Sequence, residues 1–182
     1  MKNIFLLIVL LLLAPVAFAA DVILGDSIAR ADCCSTIGPS DYLPEFQNLA
    51  VDGNTIVPVT RLIRHLSPGR AWVHVGINDV MLSNPHAERD MAQMLSVMGH
   101  RKDVCFVVDE LGPMDPISFS PAREAVRLRL NAQLEAAAVP NVFVTPFVVT
   151  SFYQGEPPHP DNTGYAQQMP LVIVALSEAC AR

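Results

Sequence analysis

The chain is poor in positive charge. Lys and Arg together number 12 in 182 residues, against 18 Asp and Glu, for a formal net charge of −6, and they nowhere form a block. An acidic chain without a basic stripe lacks the electrostatic footprint of a nucleic-acid binder. There is no low-complexity linker to divide the chain and no internal repeat to suggest a solenoid. The cysteines Cys33, Cys34, Cys105 and Cys180 show no C-x-x-C zinc spacing, and nothing in the sequence asks for a metal or a cofactor. No apolar run reaches the roughly 20 residues that a membrane-spanning helix needs.

What is present begins at the N-terminus. Lys2 precedes an unbroken apolar run from Ile4 to Leu13, and Ala17-Phe18-Ala19 then offers a small-x-small cleavage site. This is the pattern of a secretory signal peptide. It predicts a signal over residues 1–19, a single domain over 20–182, and a secreted or periplasmic product with no stable membrane insertion after cleavage. An uncleaved N-terminal anchor is the other reading of the same run. No Cys follows the cleavage site, so a lipid-anchored form has no support. The signal carries Lys2 and no acid, so the mature chain is one unit more negative. Its length suits one domain with a sizeable core. Export places the cysteines where disulfides form. Four cysteines allow three pairings, and the sequence does not choose among them. Cys105 lies in an apolar strand-like run, where a buried free thiol is the alternative.

Beyond the signal, strands and helices alternate. Asp21-Val22-Ile23-Leu24 is a short apolar run closed by Gly25, and Phe46 to Val51 reads as a second strand ended by Asp52-Gly53-Asn54. Ile56 to Leu66 has helical apolar spacing and stops at Pro68-Gly69. Ala71 to Val75, Asp103 to Val108 and Val142 to Val144 read as further strands. Ala87 to Met98 reads as a helix with a Met-rich core face. Pro121 to Ala138 is a long helix with Pro in its first turn. Asn162 to Ala181 is a last helix, expected to be broken or bent by Pro170. Such alternation predicts an α/β fold, a three-layer α/β/α sandwich around a mainly parallel five-stranded sheet with flavodoxin-like order.

In such sheets the ligand crevice lies at the carboxyl ends of the strands. Ser27, Gly53, Asn78 and His159 all fall just after strands or in the loop beyond the fifth. Acyl transfer needs this set. A serine hydroxyl is a poor nucleophile until a base takes its proton, which imidazole does near neutral pH. A carboxylate behind the imidazole fixes its tautomer. The Asn78 amide and the backbone N–H groups of Ser27 and Gly53 are candidate donors to the oxyanion of the tetrahedral intermediate.

Four blocks carry a resemblance: Gly25-Asp26-Ser27-Ile28, Asn48 to Thr55, Gly76-Ile77-Asn78-Asp79, and His159 to Tyr165. In kind, order and strand-end placement they resemble the successive blocks of the SGNH hydrolase (GDSL-like esterase/lipase) family. The resemblance implies the SGNH hydrolase fold and hydrolysis of a carboxylic ester or thioester without a cofactor. By matching positions it makes Ser27 the nucleophile and His159 the general base. Gly53 and Asn78 become oxyanion donors. The family usually has Asp three residues before the His, and here that position is Glu156. Glu is one methylene longer, and Pro157-Pro158 intervene. A cis bond before Pro158 would allow a type VI turn that returns Glu156 to His159 as the orienting acid. A trans, extended segment would leave a Ser–His dyad.

The substrate implied is a small ester or thioester, and two classes compete: a lipid-like acyl ester or thioester, and an O-acetyl group on a carbohydrate such as an acetylated glycan. A non-catalytic flavodoxin-like binding module is the reading from another class. Against it, the loop after the first strand lacks the Ser/Thr/Gly run that cradles a flavin phosphate. The α/β-hydrolase elbow G-x-S-x-G is absent. Asp26 and Asp79 are expected to hold local backbone, His74 to sit in the core or on a sheet face, and His65, His86 and His100 to be solvated. Arg30 is either a contact for an anionic substrate group or solvated. Phe152 and Tyr153 either line an acyl pocket or pack.

Overall fold

The computed structural model describes residues 21–31, 34–155 and 157–181. One sheet of five parallel strands forms the centre: β1 (Val22–Gly25), β2 (Gln47–Asn48), β3 (Gly69–His74), β4 (Val104–Asp109) and β5 (Val142–Thr145), ordered β2-β1-β3-β4-β5. Seven helices connect them: α1 (Ser27–Arg30), α2 (Pro39–Tyr42), α3 (Ile56–Ile63), α4 (Ile77–Met81), α5 (Ala87–His100), α6 (Pro121–Glu135) and α7 (Asn162–Glu178). This is the flavodoxin-like order expected from the alternation of elements.

The strand period of two sorts the core into two layers. Leu24, Val73, Phe106 and Val108 face α3, α5 and α6, where they meet Ile56, Met91, Met94 and Leu130. Ile23, Trp72 and Val107 face the opposite side and pack on Tyr165, Met169 and Val172 of α7. Both faces are covered, which is why the strands read as continuous apolar runs. The Met face of α5 is fully buried, as expected.

Four expectations need adjustment. The second strand has two residues only, Gln47–Asn48. The Asn48 carboxamide oxygen accepts from the Ala50 amide at 3.0 Å, and this local turn competes with the ladder. The backbone still follows β1, with Leu49 N–H donating to Ile23 O and Val51 N–H to Gly25 O. Pro170 does not end the last helix, which runs from Asn162 to Glu178. Pro170 and Ala166, whose carbonyl loses its helical donor, are both exposed, so water can satisfy that carbonyl. The third element ends at Ile63, short of Leu66. Cys105 is not a free thiol: it is bonded to Cys180, tying β4 to the end of α7 across 75 residues. The signal-peptide reading of residues 1–19 lies outside the described residues.

Candidate active site

The Ser27 turn is built by close approach. Gly25 ends β1 at φ 145°, and a Cβ there would lie 2.0 Å from the His74 carbonyl oxygen. Only glycine therefore lets β1 run this close to β3. Asp26 follows as the N-cap of α1, its carboxylate accepting from the Ile28 amide at 3.0 Å. Ser27 is thereby placed at the first helical position, half-buried on the rim. From α7, the Tyr165 hydroxyl donates to the Ile28 carbonyl at 2.7 Å and pins α1 from the other side. Burial, reinforced by the charge of Asp26, holds that phenol above its usual range.

His159 arrives from the far end of the chain. Its loop is closed like a hairpin: Tyr153 N–H donates to His159 O at 2.8 Å, and Phe152 bridges to Pro160. Ser151 Oγ donates to Asp161 Oδ2 at 2.7 Å. Asp161 in turn caps α7 through the Gly164 amide at 2.9 Å. These bonds hold the Asp161 carboxyl below its ordinary pKa range. The Pro157–Pro158 peptide bond is cis, as a type VI turn requires. The imidazole Nε2 lies 2.9 Å from Ser27 Oγ, across 132 residues of sequence. Among the described residues no carboxylate hydrogen-bonds the His159 ring. Glu156, the expected orienting acid, lies outside them.

The third component is the loop after β2. Gly53 has φ 74°, a left-handed conformation that a side chain would strain although no atom lies within 4 Å of its Cβ position. The neighbouring Asn54 donates from its carboxamide to Gly25 O at 3.1 Å. Asn78, on the first turn of α4, donates one amide hydrogen to Asn54 O at 2.9 Å. Asn54 therefore ties the Gly53 loop, the end of β1 and Asn78 together. The sequence shows it as part of a block but carries no signal of this bridging role. Asp79, also buried, accepts from Ile56 N–H at 2.9 Å and from Asn84 Nδ2 at 2.8 Å. It caps α3 from outside where Thr55 makes no cap of its own. Burial pushes the Asp79 carboxyl up, against those two bonds.

Ser27, Gly53, Asn78 and His159 thus meet on one rim. His74 is fully buried, whereas His65, His86 and His100 are exposed. Arg30 lies 3.6 Å from Asp52 in an exposed ion pair. Phe152 is half-buried against Pro160, and Tyr153 is exposed. Beside the His159 loop opens a cleft of about 410 Å³, lined by Ser35, Thr36, Tyr153, Asn162 and Thr163 among others. Among the described residues no group of three or more His, Cys, Asp or Glu is placed to hold a metal ion.

No family sequence model matches the chain, and no curated protein matches it in sequence. Its architecture does match solved structures. A lipolytic protein of the G-D-S-L family from Veillonella parvula superposes with TM-score 0.68 at 17% identity, covering 88% of this chain and 100% of that one. The C-terminal catalytic domain of Streptococcus pneumoniae peptidoglycan O-acetyltransferase A gives 0.65 at 15% identity, covering 89% and 94%. A Clostridium thermocellum family 3 carbohydrate esterase gives 0.56 at 16% identity, covering 90% and 98%. The chain has the fold of these proteins, the SGNH hydrolase fold.

Proposed function

We propose that this SGNH-fold chain is a serine ester hydrolase that works through an acyl-enzyme. The observation that carries the reading is the 2.9 Å contact between Ser27 Oγ and His159 Nε2. It pairs a nucleophile with a base just beyond the strand ends. His159 takes the Ser27 proton as Oγ attacks the ester carbonyl. The resulting oxyanion is met by the N–H groups of Ser27 and Gly53 and by the Asn78 amide hydrogen not used on Asn54. Collapse expels the alcohol, which receives the proton from His159. Water, activated by the same imidazole, then releases the acid. Glu156 is the orienting carboxylate, three residues before His159 across the cis bond.

The substrate is a carboxylic ester or thioester with a small acyl group. One class within it is an O-acetyl group on a hydroxyl-rich scaffold, for which Ser35, Thr36, Tyr153, Asn162 and Thr163 of the cleft beside the His159 loop offer hydrogen-bonding groups. An O-acetylated carbohydrate meets that description, and two proteins of the same fold are a peptidoglycan O-acetyltransferase and a carbohydrate esterase. Residues 1–19 act as a signal peptide, leaving 20–182 as one secreted or periplasmic domain. The Cys105–Cys180 disulfide supports that location. A non-catalytic binding module would have no use for a Ser–His contact on this rim.

The test is hydrolysis of p-nitrophenyl esters from acetate to palmitate, alongside acetylated xylan or peptidoglycan, by wild type and Ser27→Ala. The variant should lose at least about a thousandfold in kcat, and acetyl groups should be preferred. Equal turnover by both folded proteins on every ester would defeat the proposal.

A further inference from the structure

Beneath the nucleophile turn lies a buried polar cluster that acyl transfer does not use. Asp26, His74, Asp109 and Thr145 stand at the carboxyl ends of β1, β3, β4 and β5, and all are buried. Strand register aligns them, with Gly25 opposite His74 and Asp109 opposite Thr145. His74 Nδ1 is 3.7 Å from Asp26 Oδ1, an ion-pair separation longer than a hydrogen bond. Neither ring nitrogen of His74 has a hydrogen-bond partner, and neither do Asp26 Oδ2 and Asp109 Oδ2. Thr145 Oγ1 donates to the other oxygen of Asp109. The Phe147 ring closes the site 5.9 Å from the His74 ring. On the α7 side, Tyr165 lies within the electrostatic reach of Asp26.

Charge balance decides the state of this cluster. Two buried carboxylates without a cation would carry uncompensated charge. A neutral His74 would compensate neither carboxylate. An imidazolium 3.7 Å from Asp26 Oδ1 supplies the missing positive charge as an ion pair without a hydrogen bond. Burial by itself would push the His74 pKa down, but Asp26 and Asp109 outweigh it and raise it. Asp109 is pushed up by burial, with His74 and Thr145 opposing.

We propose that His74 is a positioning residue for the nucleophile: as an imidazolium held between Asp26 and Asp109, it keeps the Asp26 carboxylate on the Ile28 amide and so orients the Ser27 turn. This role rests on the reading of Ser27 as nucleophile. The sign of its pH dependence follows from a folded-state pKa above the ordinary imidazole value. The contribution of His74 is complete below about pH 6.5 and is lost as pH rises through the raised value.

The test uses the mature chain with ¹⁵N-labelled histidine and backbone, followed by NMR from about pH 5 to about pH 10. His74 should keep both ring nitrogens protonated above about pH 6.5, the ordinary imidazole value. The Ser27 and Ile28 amide resonances should shift with the His74 midpoint. His74→Gln should abolish that inflection and lower kcat about tenfold, with KM within about twofold. Asp109→Asn should move both the His74 midpoint and the alkaline fall in kcat to lower pH. A His74 that loses its proton at or below about pH 6.5, or Ser27 and Ile28 amides blind to its titration, would overturn the proposal. So would a folded His74→Gln enzyme with unchanged kcat. The resonances need no turnover, so a chain inactive on every ester would refute the hydrolase reading while the ring titration still decides this one. If His74→Gln fails to fold, the wild-type titration and Asp109→Asn remain decisive.

Discussion

Asn78→Ala separates an oxyanion donor from a residue that merely satisfies a turn. The Asn78 amide has two hydrogens, one of them held by Asn54 O at 2.9 Å. That bond orients the group, and the second hydrogen is left for the oxyanion. Losing a preorganised donor costs about 3–4 kcal/mol in the transition state. Unpairing the half-buried Asn54 carbonyl adds about 1 kcal/mol to the ground-state cost, and it loosens the Gly53 loop. The expected loss in kcat is therefore about 10²–10³-fold. KM should change little, because the oxyanion exists only after attack. Stability should fall by only about 1 kcal/mol, the worth of the single bond. The assay is steady-state hydrolysis of p-nitrophenyl acetate beside urea unfolding of the same preparation. Asn78→Asp is the paired control, since it keeps the shape, lacks the donor and adds a charge of the wrong sign. It should be no better than Ala. A folded Asn78→Ala enzyme within about fivefold of wild type would refute the donor role and leave Asn78 as a turn residue.

Three further outcomes follow from the same geometry. Cys105→Ser with Cys180→Ser removes a link closing 75 residues and should lower unfolding free energy by about 2–4 kcal/mol. An unchanged urea midpoint against the oxidised wild type would contradict that. Asp161→Ala removes the cap of α7 and the tie to Ser151 together, costing about 1 kcal/mol of stability. It should lower kcat more than KM, because His159 sits on the loop those bonds close. An effect on stability with none on kcat would show that the loop is held by other contacts. Gly53→Ala puts a side chain where φ is 74° but no atom is near, so its cost of about 1–2 kcal/mol is conformational. If the loop shifts to relieve it, the Gly53 N–H leaves the oxyanion position and kcat falls. Wild-type kcat in a destabilised Gly53→Ala protein would remove that N–H from the mechanism.

The sheet order was legible because each parallel strand is a short apolar run closed by a breaker. Alternation with helices leaves few topologies once crossovers are right-handed. Strand ends were legible for the same reason, and Ser27, Gly53 and Asn78 each fall just after a strand in the sequence. Element ends were less so. The shortening of β2 depends on one carboxamide, Asn48, choosing the Ala50 amide over the ladder. The tolerance of Pro170 depends on which face of α7 meets water. Hydrophobic pattern reports neither.

The contacts that went unread share a physical character. Asp26 holds local backbone at the Ile28 amide and His74 is buried, both as expected, but the Asn54 bridge, the reach of Asp79 to Ile56 and the meeting of Asp26, His74 and Asp109 depend on elements that come together only when five strands take their register. A strand period shows that His74 points into the protein, but not that Asp26 and Asp109 arrive beside it. That depends on Gly25 pairing with His74 and on Asp109 standing one strand over. Ser27 and His159 were readable because chemistry constrains their types and their family spacing. The supporting shell is constrained only by what it touches. The 2.9 Å Ser27–His159 contact rests on that shell at both ends: Asp26 and Tyr165 hold the serine turn, and Ser151 with Asp161 closes the histidine loop. A substitution in the shell should therefore act first on kcat, through a shift of a few tenths of an ångström at Oγ or Nε2, before it is felt in binding.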